Sequence, residues 1–134
     1  TVAAEIERDF GTKAIGMAAD SGVKADVLAF VDKAVESFGG LDILVNNAAY
    51  MHPQLIEKKP FWEKELAAQY ILDVGLRSSY VSSWHAARMM VPQGSGLIAF
   101  TSSFGASCYM HGPAYGARIC SRGWRARAGH GKGG

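Results

Sequence analysis

Ser102, Ser103 and Tyr115 carry hydroxyls that could take part in moving a proton. Ser102 stands thirteen residues before the tyrosine, just after the apolar stretch 96–101 (GLIAFT). A phenol held against a substrate oxygen can give or take its proton, and a serine hydroxyl can hold that oxygen in place. The same residues would also suit an ordinary Ser/Thr-rich turn with Tyr115 merely packing. A second group, Asn46-Asn47-Ala48-Ala49, closes the apolar run 41–45 (LDILV). Small residues at the carboxyl end of a strand let a planar cofactor approach the backbone. The asparagine amides there can tie neighbouring strands together or hold a ribose.

These residues need elements to position them. Val2, Ile6 and Phe10, spaced four apart, predict an amphipathic helix over 1–10. Residues 13–19 (KAIGMAA) read as a short buried strand closed by Asp20-Ser21-Gly22. Val27, Phe30, Val31, Ala34 and Phe38 predict a helix over 23–38 that Gly39-Gly40 stops. The LDILV run suits a parallel strand covered on both faces. From 60 to 91 the pattern is mainly helical, with Trp62, Leu66, Tyr70, Val74, Tyr80, Trp84, Ala87 and Met90 on one face, until Pro92-Gln93-Gly94 breaks it. Residues 96–101 form the third strand. This βαβαβ order implies an α/β fold with a doubly wound parallel sheet and right-handed crossovers.

With 134 residues, 49% of them hydrophobic, the chain is expected to form one ordinary globular domain. Charges at Asp73, Arg77 and Arg88 interrupt its longest apolar stretch, so no membrane span is expected. Thr1 already lies in a helical pattern and no signal segment is visible, which predicts a chain that begins within a domain and resides in the cytoplasm. Cys108 and Cys120 are expected to be free thiols, and His52, His85, His111 and His130 lack metal-ligand spacing. Residues 1–117 hold nine Lys or Arg against twelve Asp or Glu, a balance of −3; residues 118–134 hold five against none. The two parts together make the chain's +2. That abrupt basic, glycine-rich tail is read as a reading-frame slip. The other reading is a disordered arm attracted to nucleic acid.

With LDILVNNAA, SGLIAFTSS and Tyr115-Gly116-Ala117, residues 1–117 resemble the short-chain dehydrogenase/reductase family. The stretches FWEKE, VGLRSSY and AARMMVPQGSGLI are similar to its branch related to dehydrogenase/reductase member one. The resemblance implies a Rossmann-type domain and NAD- or NADP-dependent interconversion of a small-molecule alcohol and carbonyl. It implies Tyr115 as the proton donor or acceptor and also as a cofactor contact. Ser102 is preferred over Ser103 as its partner because it stands thirteen before Tyr115 and three before Gly105. Asn46, Asn47 and Ala48 would face the cofactor. Asp20 would contact its adenine, a role compatible with the alternative of a helix N-cap. A homo-oligomer, with the long helix packed against its copy, is the expected assembly.

Several positions depart from that pattern. A free tyrosine titrates near pH 10, so only about one in a thousand is ionised at pH 7. The family's lysine, one helical turn on, corrects this and holds the nicotinamide ribose, but Ile119 stands there and can do neither. Gly75 replaces a frequent asparagine, and Ala49 a glycine. No Gly-rich phosphate loop follows a first strand. The three strands would be the third, fourth and fifth of a 3-2-1-4-5-6 sheet, leaving an opening at its centre. The chain alone is therefore expected to be an inactive and unstable fragment. The competing expectation is a non-catalytic segment acting through helix–helix association.

Overall fold

The computed structural model describes residues 1–103 and 113–120. Helix α1 (Val2–Phe10) opens on Thr1, whose hydroxyl accepts from the Ala4 amide. Helix α2 (Lys24–Phe38) buries Val27 and Val31, one turn apart, while Phe30 and Phe38 of the same stripe stay about half exposed. Strand β1 (Ile43–Asn46) pairs in parallel with strand β2 (Leu97–Phe100), residue for residue from Ile43↔Leu97 to Asn46↔Phe100. Between them runs helix α3 (Ser78–Gln93), and helix α4 (Pro113–Cys120) follows β2. Leu44, Ile98, Ala86 and Met90 form the core where α3 lies on the sheet. Burying side chains of this size is worth about 1.5–3 kcal/mol each for the larger ones, so this cluster anchors the crossover.

Among the described residues the sheet has two strands, where three were expected. Residues 13–19 join no strand among them, and Ile15 and Met17 are exposed. A strand's backbone groups need a neighbouring ladder, and no strand stands beside this stretch. Side chains hold it instead. The Ala14 amide donates to Glu7 at 3.0 Å, and Lys13 donates to the Ser37 carbonyl at 2.7 Å near the end of α2.

The segment expected to be mainly helical is so, but with mixed geometry. Residues 53–69 contain three short tight turns, Pro53–Leu55, Phe61–Glu63 and Leu66–Gln69, and a wide turn, Leu72–Arg77, leads into α3. Helix α3 begins at Ser78 and runs through Pro92, one residue from the helix end. It stops where Gly94 takes a left-handed conformation, φ 75°. The face of α3 turned to the sheet shares Met90 with the expected stripe but not its aromatic residues. Ser78, Ser79, Ser82, Ala86 and Met90 are buried, whereas Trp62, Leu66, Tyr80 and Trp84 are exposed. Small side chains let the helix backbone approach the sheet closely, and burial followed size rather than hydropathy.

Helix α4 continues to Cys120, past the change of composition at Arg118. Cys108, His111, His130 and the tail 121–134 lie outside the described residues, as do the side chains of residues 118–120. Among the described residues no helix is long and apolar enough to cross a membrane, and no cluster of His, Cys, Asp or Glu is placed to hold a metal.

Candidate active site

The parallel register carries both strand ends to one edge. Asn46 lies opposite Phe100, and the Thr101 amide donates to the Asn46 carbonyl at 3.1 Å. Residues 47–48 and 101–103 therefore leave the sheet side by side. In open parallel sheets the carboxyl edge is where ligands bind.

Asn46 is buried and its carboxamide is engaged by α3. The Ser82 hydroxyl reaches its carbonyl oxygen at 2.5 Å, and its amide group donates to Ser83 at 3.1 Å. The same serine row bonds back to its own helix, Ser79 to the Gly75 carbonyl and Ser83 to the Ser79 carbonyl, each at 2.6 Å. Ser78 bonds to the Val74 carbonyl where the wide turn ends. Through these contacts Asn46 ties strand to helix rather than strand to strand. Asn47 and Ala48 are exposed and line a cleft of about 240 Å³. Its facing wall includes Met17, Ala19 and Ser21.

Asp20 lies near that wall. Its carboxylate accepts from the Gly22 amide at 2.7 Å, an Asx turn that begins four residues ahead of α2, whose N-cap is Val23. The N-cap alternative is thus corrected: the carboxylate closes its own turn before the helix begins. The turn is fastened from the far side by two residues the sequence did not single out for chemistry. Arg77 donates to the Gly22 carbonyl at 2.5 Å while pairing with Asp73 at 3.1 Å. The Tyr70 hydroxyl stands 3.5 Å from Asp20, so close that a Cβ on Gly22 would meet its oxygen at 1.8 Å. Loss of solvent first, then the Asp20 carboxylate, raises the Tyr70 phenol above its ordinary value; Asp73 adds to this and Arg77 opposes it. Tyr70 and Arg77 are seven apart, two helical turns, which is the signal that could have paired them.

The serine that meets Tyr115 is Ser103, with its Oγ 3.1 Å from the phenol oxygen. Ser102, the preferred partner, makes no hydrogen bond to Tyr115. Successive residues of an extended chain point to opposite sides, so a one-residue offset decides which hydroxyl faces α4. Tyr115 lies in the first turn of α4, half-buried. Position 119 is one turn further along that helix.

A second cleft, of about 310 Å³, opens where Pro113 and Ala114 of that turn face the 53–69 segment. Leu55, Phe61, Trp62 and Leu66 form its apolar wall.

A parallel sheet crossed by a helix, with paired hydroxyls just beyond its carboxyl edge, defines an α/β protein of the Rossmann type. The family model for short chain dehydrogenase matches residues 1–118, and the chain belongs to that family of oxidoreductases. It is 38% identical over 120 residues to dehydrogenase/reductase SDR family member 1 of Homo sapiens, covering 86% of this chain and 38% of the relative. Among solved structures it is similar to a short chain dehydrogenase from Burkholderia cenocepacia J2315 in complex with NADP (33% identity, TM-score 0.73, covering 90% of this chain and 47% of that one). It is similar also to the NADPH-dependent 3-quinuclidinone reductase from Rhodotorula rubra (26% identity, TM-score 0.77, covering 90% and 45%). The chain spans less than half the length of each of these relatives.

Proposed function

We propose that this chain carries the proton-handling part of an NAD- or NADP-dependent oxidoreductase that interconverts an alcohol and a carbonyl. The observation that carries the reading is the contact between Ser103 and Tyr115, 3.1 Å apart just past the carboxyl edge of the sheet. The solved relatives named for NADP and NADPH support a nicotinamide dinucleotide as the cofactor. The residues present fit part of such a group. Asn47, Ala48, Ala19 and Ser21 give the first cleft the small walls that a flat ring or ribose needs, while no Gly-rich loop follows a first strand to receive the pyrophosphate. When bound, the cofactor supplies or accepts the hydride. Tyr115 gives its phenolic proton to the carbonyl oxygen, or takes it back from the alcohol, and Ser103 holds that oxygen by a hydrogen bond. Asn46, locked to Ser82 and Ser83, fixes the strand end from which Asn47 and Ala48 project.

With isoleucine at 119, the chain as it stands is proposed to be inactive. The test is hydride transfer between reduced cofactor and a ketone in a protein extended to its relatives' length and carrying Ile119→Lys. Turnover that disappears in Tyr115→Phe supports the reading, and failure to bind either dinucleotide overturns it.

One observation favours a second reading, a non-catalytic segment that self-associates. Tyr80, Trp84 and Val91 project from one face of α3 and are 71%, 50% and 66% exposed. Sedimentation of the chain beside its Trp84→Glu variant tests this: a monomer in both removes it.

A further inference from the structure

We propose that the groove between α2 and the first half of α3 binds a small free carboxylate with an apolar tail of about five carbons. Lys24 and Leu28 form one wall and Tyr80, Val81 and Trp84 the other, around a volume of about 240 Å³. None of these residues lines either of the clefts described above, so the site stands apart from the oxidoreductase reading. At roughly 30 Å³ for each small condensed unit, the groove holds about eight non-hydrogen atoms. Cross-links between the two helical segments fix it at both ends. Ahead of it, Arg77 donates to the Gly22 carbonyl at 2.5 Å; beyond it, His85 meets Asp32 at 2.6 Å. Leu28 and Asp32 are one turn apart on α2, as are Val81 and His85 on α3, so the walls are set before a ligand arrives.

The charge on the lining selects the class. Lys24 is the one charged side chain there, and among the described residues nothing pairs with its ammonium. Beside the opposite wall, the Arg88 guanidinium lies 4.8 Å from the centre of the Trp84 ring and also has no carboxylate partner among the described residues. The acids of α2 do not line the groove. Asp26 accepts from the Asp20 amide at 2.9 Å, and Asp32 stands two turns from Lys24 against His85. The negative charge of Asp32 therefore lies at the end away from the ammonium. Tyr80 and Trp84 are exposed and gain by being covered. A carboxylate at Lys24 with its tail along Leu28, Val81 and Trp84 uses both features at once. A neutral head leaves the ammonium unused, and a cationic head is repelled by it.

The experiment titrates the 134-residue chain with hexanoate, hexan-1-ol and hexylammonium, which differ chiefly in the charge of the head. Binding is read by saturation-transfer NMR on the unaltered chain, and by the emission of Trp84 in a chain carrying Trp62→Phe and Trp124→Phe. Hexanoate is expected to saturate and to bind about two- to fivefold more tightly than hexan-1-ol, the size of an exposed ion pair. Hexylammonium should bind more weakly than either. Butanoate, two methylenes shorter, should bind about fivefold more weakly than hexanoate. Lys24→Gln is expected to remove the advantage of hexanoate over the alcohol while leaving the alcohol's affinity unchanged, a difference that a merely structural lysine would not produce. No saturable binding by either method, equal affinity for the acid and the alcohol, or an advantage that survives Lys24→Gln overturns the proposal. So does a hexanoate affinity that falls as protein concentration rises, which would assign the groove to a second copy of the chain.

Discussion

The Ser103 hydroxyl lies 3.1 Å from the Tyr115 phenol, a hydrogen bond that joins the loop after β2 to the first turn of α4. The two are twelve residues apart, and the neighbouring Ser102 makes no such contact. If the pair handles the substrate proton, the two serines are unequal. In a protein carrying the full dinucleotide site, Ser103→Ala is expected to lower kcat by about 10²-fold or more and Tyr115→Phe by about 10²–10⁴-fold. Ser102→Ala should cost far less. Steady-state oxidation of the reduced cofactor with a ketone checks this, and equal losses from the two serine variants would contradict the assignment of Ser103.

Asn46 presents the clearest case of a residue that acts through others. Its carboxamide meets Ser82 at 2.5 Å and Ser83 at 3.1 Å inside the β1–α3 interface. Asn46→Ala would leave the serines able to bond back to their own helix, since Ser82 already lies 2.9 Å from the Ser78 carbonyl. The expected loss is therefore about 1–3 kcal/mol rather than collapse. In a double-mutant cycle with Ser82→Ala, read by urea denaturation, the pair should show a coupling of about 0.5–3 kcal/mol. Strict additivity would mean that the contact contributes nothing to stability.

Tyr70 predicts a pH dependence. Its phenol is raised, chiefly by loss of solvent and then by Asp20, so the neutral form is the one the fold favours. A raised value stabilises fully below the ordinary tyrosine value of about 10, and that stabilisation is lost as pH climbs through the folded-state value. The wild-type chain is therefore expected to lose stability relative to Tyr70→Phe on the alkaline side of about pH 10 and to show a constant difference below it. Urea midpoints of the two proteins across that range measure the effect. Curves that stay parallel would detach Tyr70 from the turn at Asp20–Gly22.

What was legible in the sequence was whatever depends on neighbours in the chain. Helix α2, with its valines four apart and Gly39 as a stop, and strands β1 and β2, with their apolar runs between turn residues, all formed close to the predicted limits. Residues 13–19 have the composition of a strand but no ladder to join, and pairing is a property of two segments. The aromatic stripe of the 60–91 segment stays largely exposed rather than packing on the sheet. Against a sheet, the serines at 78, 79 and 82 pack closer than tryptophan could, with their hydroxyls satisfied by helix carbonyls and Asn46. The spacing 78, 79, 82, 83 is itself helical, and a face of small polar residues was the available signal. At the candidate site, the turn after β1 that holds Asn47 and Ala48 followed from motif and order. The choice between Ser102 and Ser103 needed the direction of the backbone after β2.

The sharpest prediction concerns position 119. Helix α4 runs from Pro113 to Cys120, so residue 119 follows Tyr115 by one turn. Isoleucine there carries no charge to favour a phenolate and no donor for a ribose hydroxyl. A lysine would supply both from a helix that already exists. In a protein extended to the length of its relatives, Ile119→Lys is expected to tighten binding of NADPH or NADH and to bring turnover into a measurable range. The rising limb of its pH–rate profile should lie below the ordinary tyrosine value of about 10. Ile119→Gln, which can donate a hydrogen bond but carries no charge, should recover part of the cofactor binding and little of the rate. Calorimetric titration with the dinucleotide separates the two effects. A lysine variant that binds no better than isoleucine would show that α4 does not face the cofactor at all.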